Sequence, residues 1–217
     1  MFKPEFLEKL SNYNHIIWDW NGTILNDVDI AVAAVNGTLT KLGAQIIERD
    51  HYLQEFGFPV ADFYKKIGIE ITEESKDEVS ELFHKNYQQH FKSCQIFNKI
   101  TSVFTLLREQ GKKQYILSAG AQWLLDDWVK SFKIENYFEG IYGINDLHAS
   151  SKTYRGFDLI KEQSIEDLSQ CIMIGDTLHD HHVASELKIS SILIADGHQS
   201  FDRLSQAKCL VLDSKYN

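Results

Sequence analysis

Six short apolar runs punctuate the chain: HIIW (15–18), YILS (115–118), GIYG (140–143), CIMI (171–174), SILI (191–194) and CLVL (209–212). Each is bounded by polar or turn residues. Continuous apolarity over about four residues suits a strand covered on both faces, as in a parallel sheet. Helical spacing lies between the runs. Ile100, Val103, Phe104 and Leu107 share one helix face, and Gly111 supplies a stop. Strand and helix alternate from about residue 98 to the end, which predicts an open α/β, Rossmann-like parallel sheet with helices on both faces.

Residues 26–95 break the alternation. Val28, Val32, Val35, Leu39 and Leu42 step by four and three down one helix, with Asp27 as a cap and Gly43 as a stop. Val79, Leu82, Phe83, Tyr87 and Phe91 mark a second long helix, with Thr72 as its N-cap. Shorter helices are expected over 48–69, interrupted near GFP (57–59), and no strand is expected in the segment. The predicted organisation is an α/β core over 1–25 and 96–217, with an inserted helical cap over 26–95 that starts beside Asp19 and is placed like a lid.

Composition narrows the chemistry. The chain has 217 residues, 43% of them hydrophobic, which is normal for a folded globular domain. Net charge is −9 with no basic block, so a nucleic-acid partner is not expected. No apolar run approaches the roughly 18 residues of a membrane span. The N-terminus MFKPEFLEKL is mixed and charged, unlike a signal peptide. Three widely spaced cysteines, Cys94, Cys171 and Cys209, form no metal-ligand cluster. Cys171 and Cys209 begin apolar runs and are expected in the core. A reducing cytoplasm is the expected location, and a monomer or homodimer the expected state.

Parallel sheets of this class bind ligands beyond the carboxyl ends of their strands. Asp19 follows HIIW, Ser118 follows YIL, and GDTLHD, with Asp176 and Asp180, follows CIMI. Lys152 follows GIYG, just before a helix expected from Thr153. If these ends are neighbours, they bring together carboxylates, a hydroxyl and an ammonium. Carboxylates with few other ligands suit Mg²⁺, which commonly shares its shell with a substrate phosphate. Lys152, the Ser118 hydroxyl and backbone N–H groups at the following turn, Ala119 and Gly120, suit phosphoryl oxygens. An Asp carboxylate can attack phosphorus. Taken singly, each feature has a plainer reading as turn, cap or solvated charge; their conjunction and order carry the inference.

In that conjunction the chain resembles the haloacid dehalogenase-like hydrolases, mostly Mg²⁺-dependent phosphatases. DWNGT (19–23) resembles the first motif, D-x-D-G-T, except at its third position. YILSAG (115–120) resembles the second, Lys152 the third, and GDTLHD (175–180) the fourth. FKIENYFEGIYG is similar to the connector between the second and third motifs. The helical insert resembles the cap of phosphoglycolate-phosphatase-like members. The resemblance implies that Asp19 is nucleophile and metal ligand, and that Asn21 gives the metal its backbone carbonyl. It implies metal roles for Asp176 and Asp180, and phosphoryl binding by Ser118 and Lys152. The expected substrate is a small phosphorylated metabolite and the expected cofactor Mg²⁺.

Asn21 departs from that pattern. The family's usual second Asp protonates the leaving oxygen and then activates water, which an amide cannot do. Such help is worth about 10²–10⁴-fold. Other branches also vary here, with Thr in ion-pumping ATPases and Ala in phosphonoacetaldehyde hydrolases. Three further outcomes therefore stand beside ordinary hydrolysis: a persistent aspartyl-phosphate, binding without turnover, and phosphonatase chemistry. The last needs a Schiff-base lysine, and none of Lys41, Lys65, Lys66, Lys76, Lys85 and Lys92 is singled out by the sequence. Trp20 reads as core. The histidines of HDHHVA (179–184) read as surface or helix-start residues. EFGFPVADFYKK (55–66) fits substrate contact or helix packing equally.

Overall fold

The computed structural model describes residues 2–145 and 152–216. In chain order, α1 (Pro4–Ser11) leads into β1 (His15–Trp18) and the short β2 (Leu25–Asn26). Four helices follow: α2 (Val28–Lys41), α3 (Arg49–Glu55), α4 (Val60–Lys66) and α5 (Lys76–Phe91). The chain returns through β3 (Gln95–Ile96), α6 (Ile100–Glu109), β4 (Lys113–Ala121), α7 (Gln122–Ser131) and β5 (Gly140–Ile144). It ends with α8 (Thr153–Glu162), β6 (Cys171–Gly175), α9 (Leu178–Glu186), β7 (Ser190–Ile194), α10 (Phe201–Leu204) and β8 (Leu210–Leu212). Every predicted apolar run is a strand. No helix among the described residues is long and apolar enough to cross a membrane.

Six strands form one parallel sheet in the order β5-β4-β1-β6-β7-β8. Both faces are covered, which is why the strands are apolar throughout rather than alternating. Ile16, Trp18, Ile172 and Ile174 pack on one side with Phe6 and Phe104. Ile17, Tyr115 and Met173 pack on the other with Leu159, Val183 and Leu187. Trp18 meets the Phe104 ring edge-on, with centroids 5.2 Å apart, and its indole N–H donates to Gln114 Oε1 at 3.2 Å.

Register places the chemistry. Trp18 pairs with Ile116 on one side and Ile174 on the other. Asp19, Leu117 and Gly175 are therefore level, and Ser118 and Asp176 come one step later. The β4–β5 register then shifts between Leu117 and Ala121, where residues 118–120 leave regular pairing. The close approach is set by Gly143, where an added Cβ would lie 2.7–2.9 Å from backbone atoms of Gly120 and Gln122.

The segment between β2 and β3 differs from the sequence expectation in three places. β2 and β3 pair antiparallel at its base; two-residue strands are too short to show a period. The long helix starts at Lys76, not after Thr72, because residues 72–75 close a turn in which the Thr72 carbonyl accepts from Ser75 and Lys76. Asp27 does precede α2, but its side chain makes no cap bond. It turns back toward Asn21, as described below.

Gly143→Ala should lower stability by about 1–3 kcal/mol, the usual cost of forcing an atom into fixed backbone. Thermal denaturation against the parent checks this; an unchanged midpoint would show that the β4–β5 approach is not tight.

Candidate active site

Asp19, Asp176 and Asp180 are each buried, with side-chain oxygens all within 4.8 Å of one another. Asp19 leaves the end of β1, and its N–H donates to the Ile174 carbonyl at 2.8 Å, fixing the loop to β6. Asp180 sits in the first turn of α9. Its carboxylate accepts from the Thr177 hydroxyl at 2.7 Å and the Thr177 N–H at 3.0 Å, closing a capping box. Lys152, buried at the start of α8, reaches both acids. Its ammonium pairs with Asp19, lies 2.7 Å from Asp180, and donates to the Leu117 carbonyl at 3.0 Å.

These charges set one another's proton affinities. Burial raises Asp19 well above the usual carboxylate range; Lys152 opposes this, and Asp180 and Asp176 add to it. Burial likewise lifts Asp176 to about 6, against the pull of His198. For Asp180, Lys152 outweighs burial and the pKa falls. Burial pulls Lys152 down, but Asp180 and Asp19 more than restore it, so it stays an ammonium. Three clustered carboxylates, two of which resist ionisation in the free protein, form a donor set suited to a hard divalent cation.

Residues 118–120 end the sheet beside this cluster. Ser118 is fully buried, and its hydroxyl accepts from the Gly120 N–H at 3.0 Å, so it shapes the turn in this state. Ala119 and Gly120 line the cavity with Asp19, Asn21 and Lys152. The predicted residues are thus brought to one place, with Ser118 turned onto its own loop.

Sequence reasoning missed a second network. Asp27 is buried and collects four donors. Asn21 Nδ2 at 2.8 Å and the Tyr87 hydroxyl at 2.7 Å reach Oδ2; the Gly22 N–H at 2.8 Å and His198 Nε2 at 3.3 Å reach Oδ1. Asn21 Nδ2 also donates to the Tyr87 oxygen at 3.1 Å. His198 completes the ring of contacts. Its N–H donates to Asp176, and its Nδ1 lies 2.9 Å from the Tyr52 hydroxyl. Burial disfavours the imidazolium, but Asp27 overrides that and raises His198 to about 9. The same contacts hold Asp27 below its ordinary range despite burial. Gly22 makes the crossing possible: its φ is +71°, and a Cβ there would collide with Asp176 and His198. Only the HIIWDWNGT stretch hinted at this network; Asp27, Tyr87 and His198 are too far apart in sequence to form a motif.

Other expectations divide. Trp20 is fully buried, and its ring packs 6.2 Å from Phe132. His179 is a helix-start residue in the first turn of α9, but half-buried rather than on the open surface: it packs against Phe58 at 4.7 Å, and burial lowers it to about 4. His181 bonds Ser191 and His182 pairs with Glu186, so the three histidines do not converge. Cys94 and Cys171 are buried and unpaired, and Cys209 is half-buried. Of the 55–66 stretch, the rings line a cavity of about 500 Å³ above the acids, while Lys65 and Lys66 face solvent.

The model for haloacid dehalogenase-like hydrolases matches residues 16–194. The chain belongs to that family. It is 20% identical over 171 residues to the pyrophosphatase PpaX of Bacillus pumilus, covering 78% of this chain and 77% of the relative. The fold matches a haloacid dehalogenase-like family hydrolase from Streptococcus pneumoniae with a TM-score of 0.79 at 21% identity, over 94% of this chain and 96% of that one. A predicted phosphoglycolate phosphatase from Haemophilus somnus 129pt matches with a TM-score of 0.70 at 14% identity, over 94% and 95%.

The His198 contribution has a definite sign. Its pKa is raised on folding from about 6.5 to about 9, so its stabilisation is complete below pH 6.5 and is lost as pH rises toward 9. Denaturation midpoints without divalent cation should therefore fall between pH 6.5 and 9 more steeply for the parent than for His198→Gln. Parallel curves would contradict the assigned pairing.

Proposed function

We propose that the chain is a Mg²⁺-dependent phosphatase that works through an aspartyl-phosphate on Asp19. The observation that carries this reading is the buried Lys152 ammonium spanning Asp19, at the end of β1, and Asp180, in the first turn of α9. Asp19, Asp176, Asp180 and the Asn21 carbonyl would hold the cation. Bound there, Mg²⁺ would neutralise the carboxylates and the phosphoryl charge. Lys152 and the N–H groups of 119–120 orient the phosphoryl group, joined by the Ser118 hydroxyl once it releases Gly120. An Asp19 oxygen attacks phosphorus, the bond to the leaving oxygen breaks, and water later cleaves the acyl-phosphate. The helices between β2 and β3 act as a cap that excludes bulk water from this step.

The cap rests on the core through named bonds. The Phe56 carbonyl accepts from Gln199 Nε2 at 2.8 Å and from the Arg203 guanidinium, and Tyr52 meets His198. This closed arrangement puts the cap's aromatic rings over the acids.

Residue 21 cannot carry the proton, and its amide is committed to Asp27 and Tyr87. The water step therefore lacks the family's usual base and is the slow one. Lysine-based phosphonatase chemistry gains no support here, because no cap lysine is buried among the described residues.

Phosphate release from a panel of phosphorylated metabolites should require Mg²⁺ and vanish in Asp19→Asn. Release that persists in that variant removes Asp19 as the attacking group, and none on any panel member removes the hydrolase reading and leaves ligand binding. Asn21→Asp would set a second carboxyl beside Asp27, and the pair would retain one proton between them. Turnover should rise on the order of 10²-fold, measured as single-turnover decay of the aspartyl-phosphate. An unchanged decay rate would show that residue 21 does not limit the water step.

A further inference from the structure

The cavity above Asp19 divides sharply by chemistry. Its floor holds the carboxylates, Lys152 and His198. Its walls are mostly Phe56, Phe58 and Phe63 from the α3–α4 region, Val79 and Phe83 from α5, and Trp128 from α7, with Thr72, Ser80 and His84 as polar positions among them. The lysines among the described lining residues are Lys152 and Lys76. Lys152 is held by Asp19 and Asp180, and Lys76 is paired with Glu73 at 2.6 Å at the solvent edge. His198 is held by Asp27 and Tyr52, and His84 lies against the Phe83 ring. Lys65 is exposed, and the half-exposed Lys66 pairs loosely with Glu55 at 3.7 Å.

A phosphoryl group bound at the floor directs the rest of its substrate into this chamber. A second anionic group would be desolvated among the rings, with Glu73 at the edge and Lys76 already paired to it. An apolar or aromatic group would displace water from the same walls at a gain. The volume, about 500 Å³, exceeds what a two-carbon acid needs and suits a ring system.

We infer that the substrate is a phosphomonoester of an uncharged apolar or aromatic alcohol, rather than a phosphorylated acid or pyrophosphate. This rests on the phosphatase reading for turnover, but the preference itself can be read by binding alone. The probes are benzylphosphonate, phosphonoacetate and methylphosphonate with Mg²⁺ and the full chain, measured by calorimetry. Benzylphosphonate should bind about tenfold or more tightly than methylphosphonate, and phosphonoacetate no more tightly than methylphosphonate. Phe83→Arg, or Phe58→Arg if the first is unfolded, should reverse the order of benzylphosphonate and phosphonoacetate. Both positions are half-buried and leave room for the longer side chain. Equal or weaker binding of benzylphosphonate, or no binding by any of the three, overturns the inference. Acetyl phosphate turnover, dependent on Asp19, tests the hydrolase reading separately, because its leaving group is too small to use the chamber. Loss of that turnover with the binding order intact would remove the chemistry and keep the ligand preference.

Discussion

The Lys152 ammonium is the interaction on which the floor of the cavity depends. Three buried carboxylates within 4.8 Å repel one another in a medium that screens weakly. One buried cation touching two of them makes the arrangement tolerable without metal. Its bond to the Leu117 carbonyl ties the same charge to β4. Electrostatics and sheet register thus converge: strands level at Trp18, Ile116 and Ile174 deliver their next residues to one point.

Asn21 looks like a lost acid when only DWNGT is read. In the fold it is one donor to another acid, Asp27, six residues on. With His198 held as an imidazolium, Asp27 is already matched by one full charge and three neutral donors. A carboxylate at 21 would replace a donor with a like charge. The amide and the Asp27 network are therefore mutually adapted. Asp27 thereby links the loop after β1, α5 through Tyr87, and the loop after β7 through His198.

The fold was largely legible because buried parallel strands are apolar at every position, a signal that survives without alignment. HIIW and CIMI show it cleanly. The strand-end residues were legible because each follows such a run. What escaped were contacts with no local signature. Asp27 stands where a helix cap stands, and only the distant Tyr87 and His198 turn it inward. His179 sits in a polar-looking HDHH tract, yet Phe58, more than 100 residues away, buries it. Thr72 satisfied a capping rule that Ser75 and its turn overrode. Long-range packing decides the cases of Asp27 and His179, and a single sequence does not encode such partners by spacing.

The two halves of the cavity impose different constraints. The floor must hold charge, so its residues come from strand ends fixed by sheet hydrogen bonds, where small displacements are resisted. The walls need only exclude water and match a shape, and their rings come from helices α3, α4, α5 and α7 and the loop between α3 and α4. His198 joins the halves: its backbone N–H serves Asp176, its ring serves Asp27, and its outer nitrogen meets Tyr52 of the insert. Closure of the wall and the charge state of the floor are consequently linked through one side chain. Withdrawing Tyr52 would open His198 to water and weaken its hold on Asp27, loosening Asn21 and Gly22 in turn. Under the proposed reading, a substrate that fills the aromatic chamber would favour the closed wall and, through His198, would hold the loop that carries Asp19.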